Sequence, residues 1–293
     1  MNARQFQCPH PSGFTPLEKT FMSMIGLLLA LGIRIGVGVI MGLTGAGGGM
    51  LAVPALVYSQ AWSMQQAMPV ALLAVSLGAL IGAIDGLRRQ QVRYKAATLM
   101  AIAGVPFTTF GIVVARHMSQ AGLMLAFSAV LLIVVARLMF QVRAQWSGNA
   151  EASEKQDAIA CVNRQTGKFT WNGKTASVIS LIGACAGFFT GLLGVGGGFI
   201  IVPLLRHFTN LTMQSATATS LMVIALVGSV AVGSAILHGA QLPLGFSTFF
   251  ALTSVVGVLL GRRLASFLPP AIVQMIFAGL LLCVAVSFII TAW

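Results

Sequence analysis

The chain has 293 residues, of which 57% are hydrophobic and 8% are charged, and its formal net charge is +12. A soluble domain carries roughly 25% charged residues, so this composition excludes a soluble globular protein. The basic residues lie between apolar runs, as in the cytoplasmic loops of membrane proteins, and they do not form the clustered face that nucleic acid requires. We therefore predict a polytopic membrane protein with the lipid bilayer as partner and no nucleic-acid partner.

Apolar segments follow one another along the chain, and a transmembrane helix needs about 20 residues. In chain order they are Met22–Leu43, Met50–Tyr58, Met68–Asp85, Ala96–Ala115, Ala121–Phe140, Thr175–Leu193, Phe199–Phe208, Ser215–Leu237, Leu244–Gly261 and Ala271–Trp293. The second and the seventh are so short that, as helices, they would cross only about half a bilayer. The pattern predicts an all-α fold with about eight transmembrane helices and two short broken or re-entrant half-helices.

One polar stretch separates two halves of the chain. The predicted division is an N-terminal tail at 1–20, a first transmembrane repeat at 21–140, a cytoplasmic polar loop at 141–174 and a second transmembrane repeat at 175–293. Residues 1–20 hold charged residues and prolines without a short apolar core, so no cleaved signal peptide is expected there.

The two halves are copies of each other. GLTGAGGGMLAVPAL at 42–56 aligns with GLLGVGGGFIIVPLL at 191–205, with nine of fifteen positions identical at a constant offset of 149. An ungapped match of this kind indicates a duplication, which is a common origin of transporter folds.

The lysines and arginines leave two topologies open. If the short segments do not cross, eight spans put 86–95, 141–174 and the N-terminus on one side, with 12 of the 17 basic residues. If the short segments cross, the repeats are inverted, and the side that holds the same two loops carries 13 basic residues against three. Both satisfy the positive-inside rule, so we expect 86–95 and 141–174 in the cytoplasm of a bacterial inner-membrane protein.

The two glycine-rich stretches are the main candidates for a binding site. Three consecutive glycines weaken a helix, and non-helical backbone at membrane depth must be enclosed or line a cavity. Each stretch therefore predicts a helix break, after which a half-helix directs free N–H groups and its positive dipole end toward an anion. The predicted substrate-binding backbone groups are those of Gly47, Gly48, Gly49, Gly196, Gly197 and Gly198. The alternative is that these glycines serve only close helix packing.

Other candidates surround the breaks. Pro54 and Pro203 occupy matching positions in the half-helices, where they are either hinges or tolerated kinks. Thr217, Thr219 and Ser220 follow the second half-helix, and they either donate to an oxyanion or bond to carbonyls of their own helix. Starts of the helices that follow are predicted at Ser63-Met-Gln-Gln and Thr212-Met-Gln-Ser, because the hydroxyl side chains can cap them.

Arg34 lies inside the first apolar segment, on one helical row with Gly38 and Gly42. A charged residue within a span suggests function, with an anionic substrate as its partner, although a shifted helix would let Arg34 reach the interface. The equivalent row in the second copy consists of glycines at 183, 187 and 191, which predicts close helix packing. Asp85 is the one acidic residue at a span edge, and we expect it to pair with a neighbouring arginine.

The doubled motif, together with QSATATSL after the second copy, resembles the TauE/SafE family of membrane anion transporters, the sulfite-exporter-like family. The resemblance covers roughly residues 22–290 and implies transport of sulfite, sulfoacetate or related organosulfonates. Export is the usual direction in the family, and uptake is attributed to some members. The sequence departs from a symmetric site in two ways, because QQAMPVALL lacks the hydroxyls and Arg34 interrupts the glycine row.

The sequence thus predicts export of a small sulfur-containing oxyanion by alternating access. The alternatives are a transporter of another small anion or solute, and a membrane scaffold or assembly protein that transports nothing. No paired carboxylates, HExxH or P-loop occur, so neither an enzyme nor a cofactor is expected, and the scattered cysteines suggest no metal site. Association into a homo-oligomer stays open.

Overall fold

The computed structural model describes residues 49–146, 173–209, 211–237, 244–264 and 270–293, together with positions 32, 36, 38, 39 and 267. Nine α-helices lie in these ranges. They are α1 (Ala52–Gln60), α2 (Met64–Arg88), α3 (Tyr94–His117), α4 (Gln120–Trp146), α5 (Gly173–Leu193), α6 (Gly198–Phe208), α7 (Met213–Leu237), α8 (Leu244–Leu264) and α9 (Pro270–Ala292). The described part of the chain confirms the predicted all-α polytopic fold, while most of the predicted first span lies outside it.

Side-chain caps begin the equivalent helices α2 and α7. Ser63 accepts a hydrogen bond from the backbone N–H of Gln66 at 3.3 Å, while the Gln66 side chain accepts from the Ser63 N–H at 3.2 Å. This capping box fixes the start of α2. In the second repeat Thr212 Oγ1 accepts from the Ser215 N–H at 3.3 Å, just before α7. Both predicted helix starts are confirmed.

The equivalent helices α2 and α7 pack against each other in opposite directions. Ser76 of α2 lies beside Gly228 of α7, and Gly82 lies beside Leu221. Along this contact the residue numbers in α7 fall as those of their partners in α2 rise, so the two helices are antiparallel. A two-fold axis that relates an antiparallel pair is perpendicular to both helices and therefore lies in the membrane plane. The two repeats are inverted, which agrees with the side assignments of the second topology, although the short helix α6 reaches its side within a re-entrant hairpin and not as a crossing.

A row of glycines holds α5 against α3. Its members Gly183, Gly187 and Gly191 lie on the backbone of Met100, Gly104 and Thr108, respectively. A Cβ on the middle glycine would be 2.7 Å from the Cα of Gly104, so the two backbones touch. The residue numbers of the contact partners rise together in α3 and α5, so these two helices are parallel. Gly38, the counterpart of Gly187, lies against Gly257 of α8, the counterpart of α3. The predicted packing role of these glycines is confirmed.

Helices α5 and α6 form a re-entrant hairpin. α5 begins at the end of the bundle where α3 begins, and Gly191 lies beside Thr108, well before α3 ends at His117. The 11 residues of α6 then return toward the start of α7, where Arg206 contacts the sulfur of Met213 at 3.6 Å. A helix of this length spans about 16 Å, half of the hydrocarbon core.

Short connections place the remaining helices across the membrane. We call the end of the bundle with Arg88, Arg93, Arg206 and Arg263 the basic end, and the end with Trp62 and His117 the opposite end. In the part of the chain that the structure describes, α2, α3, α4, α5, α7 and α9 are long and apolar enough to span a membrane. The apolar part of α8 is shorter, at Gly245–Gly261. The helices α2, α3 and α4 of the first repeat and α7, α8 and α9 of the second alternate in direction, three in each repeat, whereas α5 turns back with α6 in the re-entrant hairpin.

Candidate functional site

The break between α5 and α6 lies in the middle of the bundle. Gly194 and Gly196 have φ angles of +71° and +67°, a left-handed conformation that residues with a Cβ rarely adopt. A Cβ on Gly196 would lie 2.9 Å from Val75 and 3.0 Å from Ile224. Val75 is close to the midpoint of α2, and Ile224 close to that of α7. Gly194 lies against Met68, near the start of α2, so the break extends from there to mid-depth at Gly196. The offset of 149 makes Val75 and Ile224 equivalent positions.

The first repeat contributes a residue to the same place. A Cβ on Gly49 would lie 2.7 Å from the carbonyl oxygen of Val195 and 3.1 Å from Val75. Gly47 and Gly48 lie outside the described residues. The contacts of Gly49 and Gly196 bring the two glycine-rich stretches together at Val75, beside the two-fold axis of the repeats. We call Gly49, the described end of the first stretch, and the segment Gly194–Gly197 the glycine breaks.

Protein encloses the second glycine break. All residues from Gly194 to Gly198 are buried, and so is Gly49. Non-helical backbone at membrane depth is stable only when it is buried in protein or lines a wet cavity. The second break meets this condition because α2 and α7 lie beside it, with Val75 and Ile224 against Gly196.

The amides at the start of α6 have protein acceptors in this conformation. The N–H of Gly197 donates to Thr190 Oγ1 at 2.8 Å, and the Thr190 hydroxyl donates to the Ala186 carbonyl at 2.7 Å. The N–H of Gly198 donates to the Gly196 carbonyl, with which it closes a tight turn. The hydroxyl of Thr190 thus occupies the position on the Gly197 N–H that the sequence assigns to a substrate. Substrate binding by these amides stays a prediction.

Thr190 is the participant that sequence reasoning missed. It is buried, lies four residues before Gly194 and caps the chain after the break. A hydroxyl just before a glycine-rich stretch was the available signal. Comparison of the copies obscures that signal, because the equivalent residue is Met41.

The hydroxyls after the second half-helix bond mainly within the protein. Thr217 donates to the Met213 carbonyl and Ser220 to the Thr217 carbonyl, both at 2.8 Å. Thr219 Oγ1 accepts from the backbone N–H of Arg93 at 3.1 Å and so joins α7 to the start of α3. The bonds of Thr217 and Ser220 match the alternative of bonding to carbonyls of their own helix, whereas the bond of Thr219 joins two helices. Ser220 lies one turn from Ile224, nearest of the three to the break, and substrate contact by these groups remains untested.

The other candidates lie in different places. Arg34 falls outside the described residues. Pro54 is the third residue of α1 and lies in its first turn, whereas Pro203 is the sixth residue of α6. Proline in a first turn removes no intrahelical hydrogen bond, so the two equivalent prolines have different local effects. Their role as hinges stays a prediction.

Acidic groups are few near the breaks. Asp85 pairs with Arg89 at 3.2 Å, one turn further along α2, which confirms the expected local pairing. Within the described ranges no group of three or more His, Cys, Asp or Glu residues is positioned to hold a metal ion. The N-terminal dipole of α6 lies at the break, where the Gly197 and Gly198 amides bond within the protein in this conformation.

An inverted repeat with a buried, non-helical break near mid-depth is characteristic of polytopic membrane transporters. The sequence matches the family described as sulfite exporter TauE/SafE over residues 28–288. The chain belongs to this family. The match agrees with the resemblance carried by the doubled glycine motif.

Related proteins are described as probable membrane transporter proteins. One from Xylella fastidiosa is 27% identical over 277 residues, which cover 93% of this chain and 98% of the relative. YunE from Bacillus subtilis is 24% identical, with 82% of this chain and 86% of the relative covered. MamO from Magnetospirillum gryphiswaldense is 25% identical over 90% of this chain and 45% of its own length. No solved structure matches the chain.

Proposed function

We propose that this transporter exports a small sulfur-containing oxyanion, such as sulfite or an organosulfonate, by alternating access. The observation that carries the proposal is the convergence of Gly49 and Gly196 on Val75, near mid-depth and beside the axis that relates the repeats. Discontinuous helices that meet at such an axis form the substrate sites of inverted-repeat transporters.

The start of α6 favours an anion as substrate. Its first amides and the positive end of its dipole face the break, and this arrangement attracts negative charge. In this proposal a substrate oxygen replaces Thr190 Oγ1 as acceptor for the Gly197 N–H. The exchange costs little because one hydrogen bond replaces another, and the Thr190 hydroxyl keeps its bond to the Ala186 carbonyl.

Alternating access follows from the symmetry of the hairpins. Each repeat contributes a helix break and a half-helix, and α1 and α6 leave the breaks toward opposite ends of the bundle. Motion of one hairpin against the α2–α7 pair opens one end, and the equivalent motion of the other hairpin opens the other end. Pro54 and Pro203 are the proposed hinges.

We place the basic end in the cytoplasm of a bacterial inner membrane. In the inverted topology this side carries 13 basic residues against three, which the positive-inside rule assigns to the cytoplasm. The loops at 86–95 and 141–174 are then cytoplasmic. An anion leaves the cytoplasm down the inside-negative membrane potential, so export in this direction needs no coupled ion.

Flux from loaded proteoliposomes tests the proposal. Liposomes with purified protein are loaded with sulfite or sulfoacetate, and efflux is compared for wild type, G197V and G279V. A Cβ on Gly197 would be 2.7 Å from the Ala186 carbonyl oxygen, whereas Gly279 has nothing within 4 Å of that position. We expect efflux from wild type and G279V and its loss in G197V.

The outcomes separate the alternatives. Flux of carboxylates or other anions in place of both sulfur oxyanions would refute the substrate and retain the transporter. Flux that survives in folded G197V would refute the site. A folded wild type that moves no anion in a broad screen would favour a membrane scaffold.

A further inference from the structure

A groove of about 880 Å³ opens at the basic end, away from the glycine breaks. Its walls come from the last turns of α2 and α8, and Gln214 at the start of α7 closes one side. Asp85 in its wall is ten residues, or about 15 Å of helix, from Val75 at the breaks. The groove is therefore a separate feature from the proposed transport site.

The part of the groove nearest the bilayer centre is apolar and faces lipid. Ile81 and Ile84 of α2 and Val256, Leu259 and Leu260 of α8 line it. The three α8 side chains are 50%, 48% and 50% exposed. Exposed aliphatic side chains on a membrane-spanning helix contact acyl chains, so this wall is a surface for hydrocarbon and not for a hydrated ion.

The outer part of the groove is cationic. Three guanidinium groups, those of Arg88, Arg89 and Arg263, line it with a single carboxylate, that of Asp85. Asp85 pairs with Arg89 at 3.2 Å, and the lining keeps a positive net charge. The N-terminus of α7, a helix of 25 residues, adds its positive dipole end beside Gln214. The rim thus attracts an anionic group at the depth of a lipid headgroup.

The inverted repeat provides an internal comparison. At the offset of 149, Leu237 takes the place of Arg88, Ser234 that of Asp85 and Val114 that of Arg263, while Arg116 and His117 lie in the last turn of α3. The three arginines around the groove at the basic end are therefore not repeated position by position at the opposite end. The positive-inside rule accounts for arginines at the basic end, but it does not place three of them around one apolar groove.

We propose that this groove binds an anionic phospholipid of the cytoplasmic leaflet. The phosphate lies among the guanidinium groups and the α7 N-terminus, and an acyl chain lies along Ile84, Val256 and Leu260. Basic pockets between transmembrane helices bind such headgroups through the same combination of charge and apolar surface. The bound lipid joins α2, α7 and α8, and so stabilises the contact between the two repeats.

Thermal unfolding in a neutral detergent tests the site, with the chain's four tryptophans as the fluorescence signal. Phosphatidylglycerol, phosphatidylcholine with matched acyl chains and inorganic phosphate are titrated in turn. We expect phosphatidylglycerol to raise the Tm above the other two. The R88Q/R263Q variant leaves the Asp85–Arg89 pair intact, and its apparent affinity for phosphatidylglycerol should fall roughly 30-fold, at about 1 kcal/mol per cation.

R143Q is the matched control, since Arg143 lies at the basic end on α4 and outside the groove lining. It should keep the affinity of wild type. An equal shift with phosphatidylcholine, or an unchanged affinity in folded R88Q/R263Q, would overturn the proposal. An equal shift with inorganic phosphate would show a site for soluble anions and would also overturn it.

A second measurement needs no variant. A phosphatidylglycerol with a photoreactive group on its acyl chain is cross-linked to the wild-type protein in liposomes. We expect labelling of the peptides that contain 81–88 and 256–263. Labelling spread evenly over the lipid-facing helices would reject a specific site.

Discussion

Replacing Gly196 with alanine tests whether the left-handed backbone at the break is essential. At φ +67° an L-residue is strained by about 1–2 kcal/mol. The new Cβ would also lie 2.9 Å from Val75 and 3.0 Å from Ile224, closer than ordinary van der Waals contact. The substitution therefore combines backbone strain with overpacking.

Backbone strain, overpacking and the entropy of the unfolded chain together set the expected loss of stability. Overpacking in a close-packed interior costs about 1–3 kcal/mol. Alanine restricts the unfolded chain and returns about 0.4–1 kcal/mol. We expect a net loss of about 1–4 kcal/mol in the free energy of unfolding, because both neighbours lie on the packed helices α2 and α7 and have little room to move.

Denaturant unfolding in detergent measures this loss, and G279A is the control. Gly279 lies in α9 with nothing within 4 Å of its added Cβ, so alanine there should be neutral or stabilising by up to about 1 kcal/mol. A V75A/G196A double variant separates the terms, because removing the Val75 methyl groups relieves the overpacking but not the strain. We expect a favourable coupling of about 1 kcal/mol between the two substitutions.

Two results would refute the reasoning. One is a G196A protein as stable as G279A, since the left-handed conformation would then not be required. The other is strict additivity of V75A and G196A, which would mean that the two residues are not in contact.

Two further substitutions test the packing around the break. G187A should destabilise the protein by about 1–3 kcal/mol in the same unfolding assay, because its Cβ would meet the backbone of Gly104; full stability would contradict the observed contact of α3 with α5. T190V should cost about 1–3 kcal/mol, because the buried Gly197 N–H loses its acceptor. Thr108 is also buried, and its hydroxyl donates to the Gly104 carbonyl of its own helix. T108V should therefore lose less stability than T190V. Equal losses in the two variants would argue against the cap of Gly197 by Thr190.

Local patterns in the sequence were sufficient for much of the fold. Composition predicted a membrane protein, and the offset of 149 predicted two copies. Ser63 and Thr212 marked the starts of α2 and α7, and the glycine row at 183, 187 and 191 marked a packing face. Each of these features depends on residues close together in the chain, because capping and helical periodicity are local properties.

The relation between the copies required the tertiary structure. The lysines and arginines satisfied the positive-inside rule in both topologies, and the contacts of Ser76 with Gly228 and of Gly82 with Leu221 show that the repeats are inverted. The meeting of Gly49 and Gly196 at Val75 is likewise a long-range contact. Val75 is an ordinary apolar residue in the sequence, and its importance comes from its contact with both glycine-rich stretches.

The chain alone therefore determined which residues can break, cap and pack its helices. Tertiary structure decided which breaks meet, that Thr190 rather than a distant group caps Gly197, and that Arg88 and Arg263 share one groove. The physical reason is that hydrogen bonding along a helix depends on neighbours three or four residues apart. Contacts between helices depend on their directions in the bilayer, which this duplicated sequence satisfies in more than one way until the helices pack.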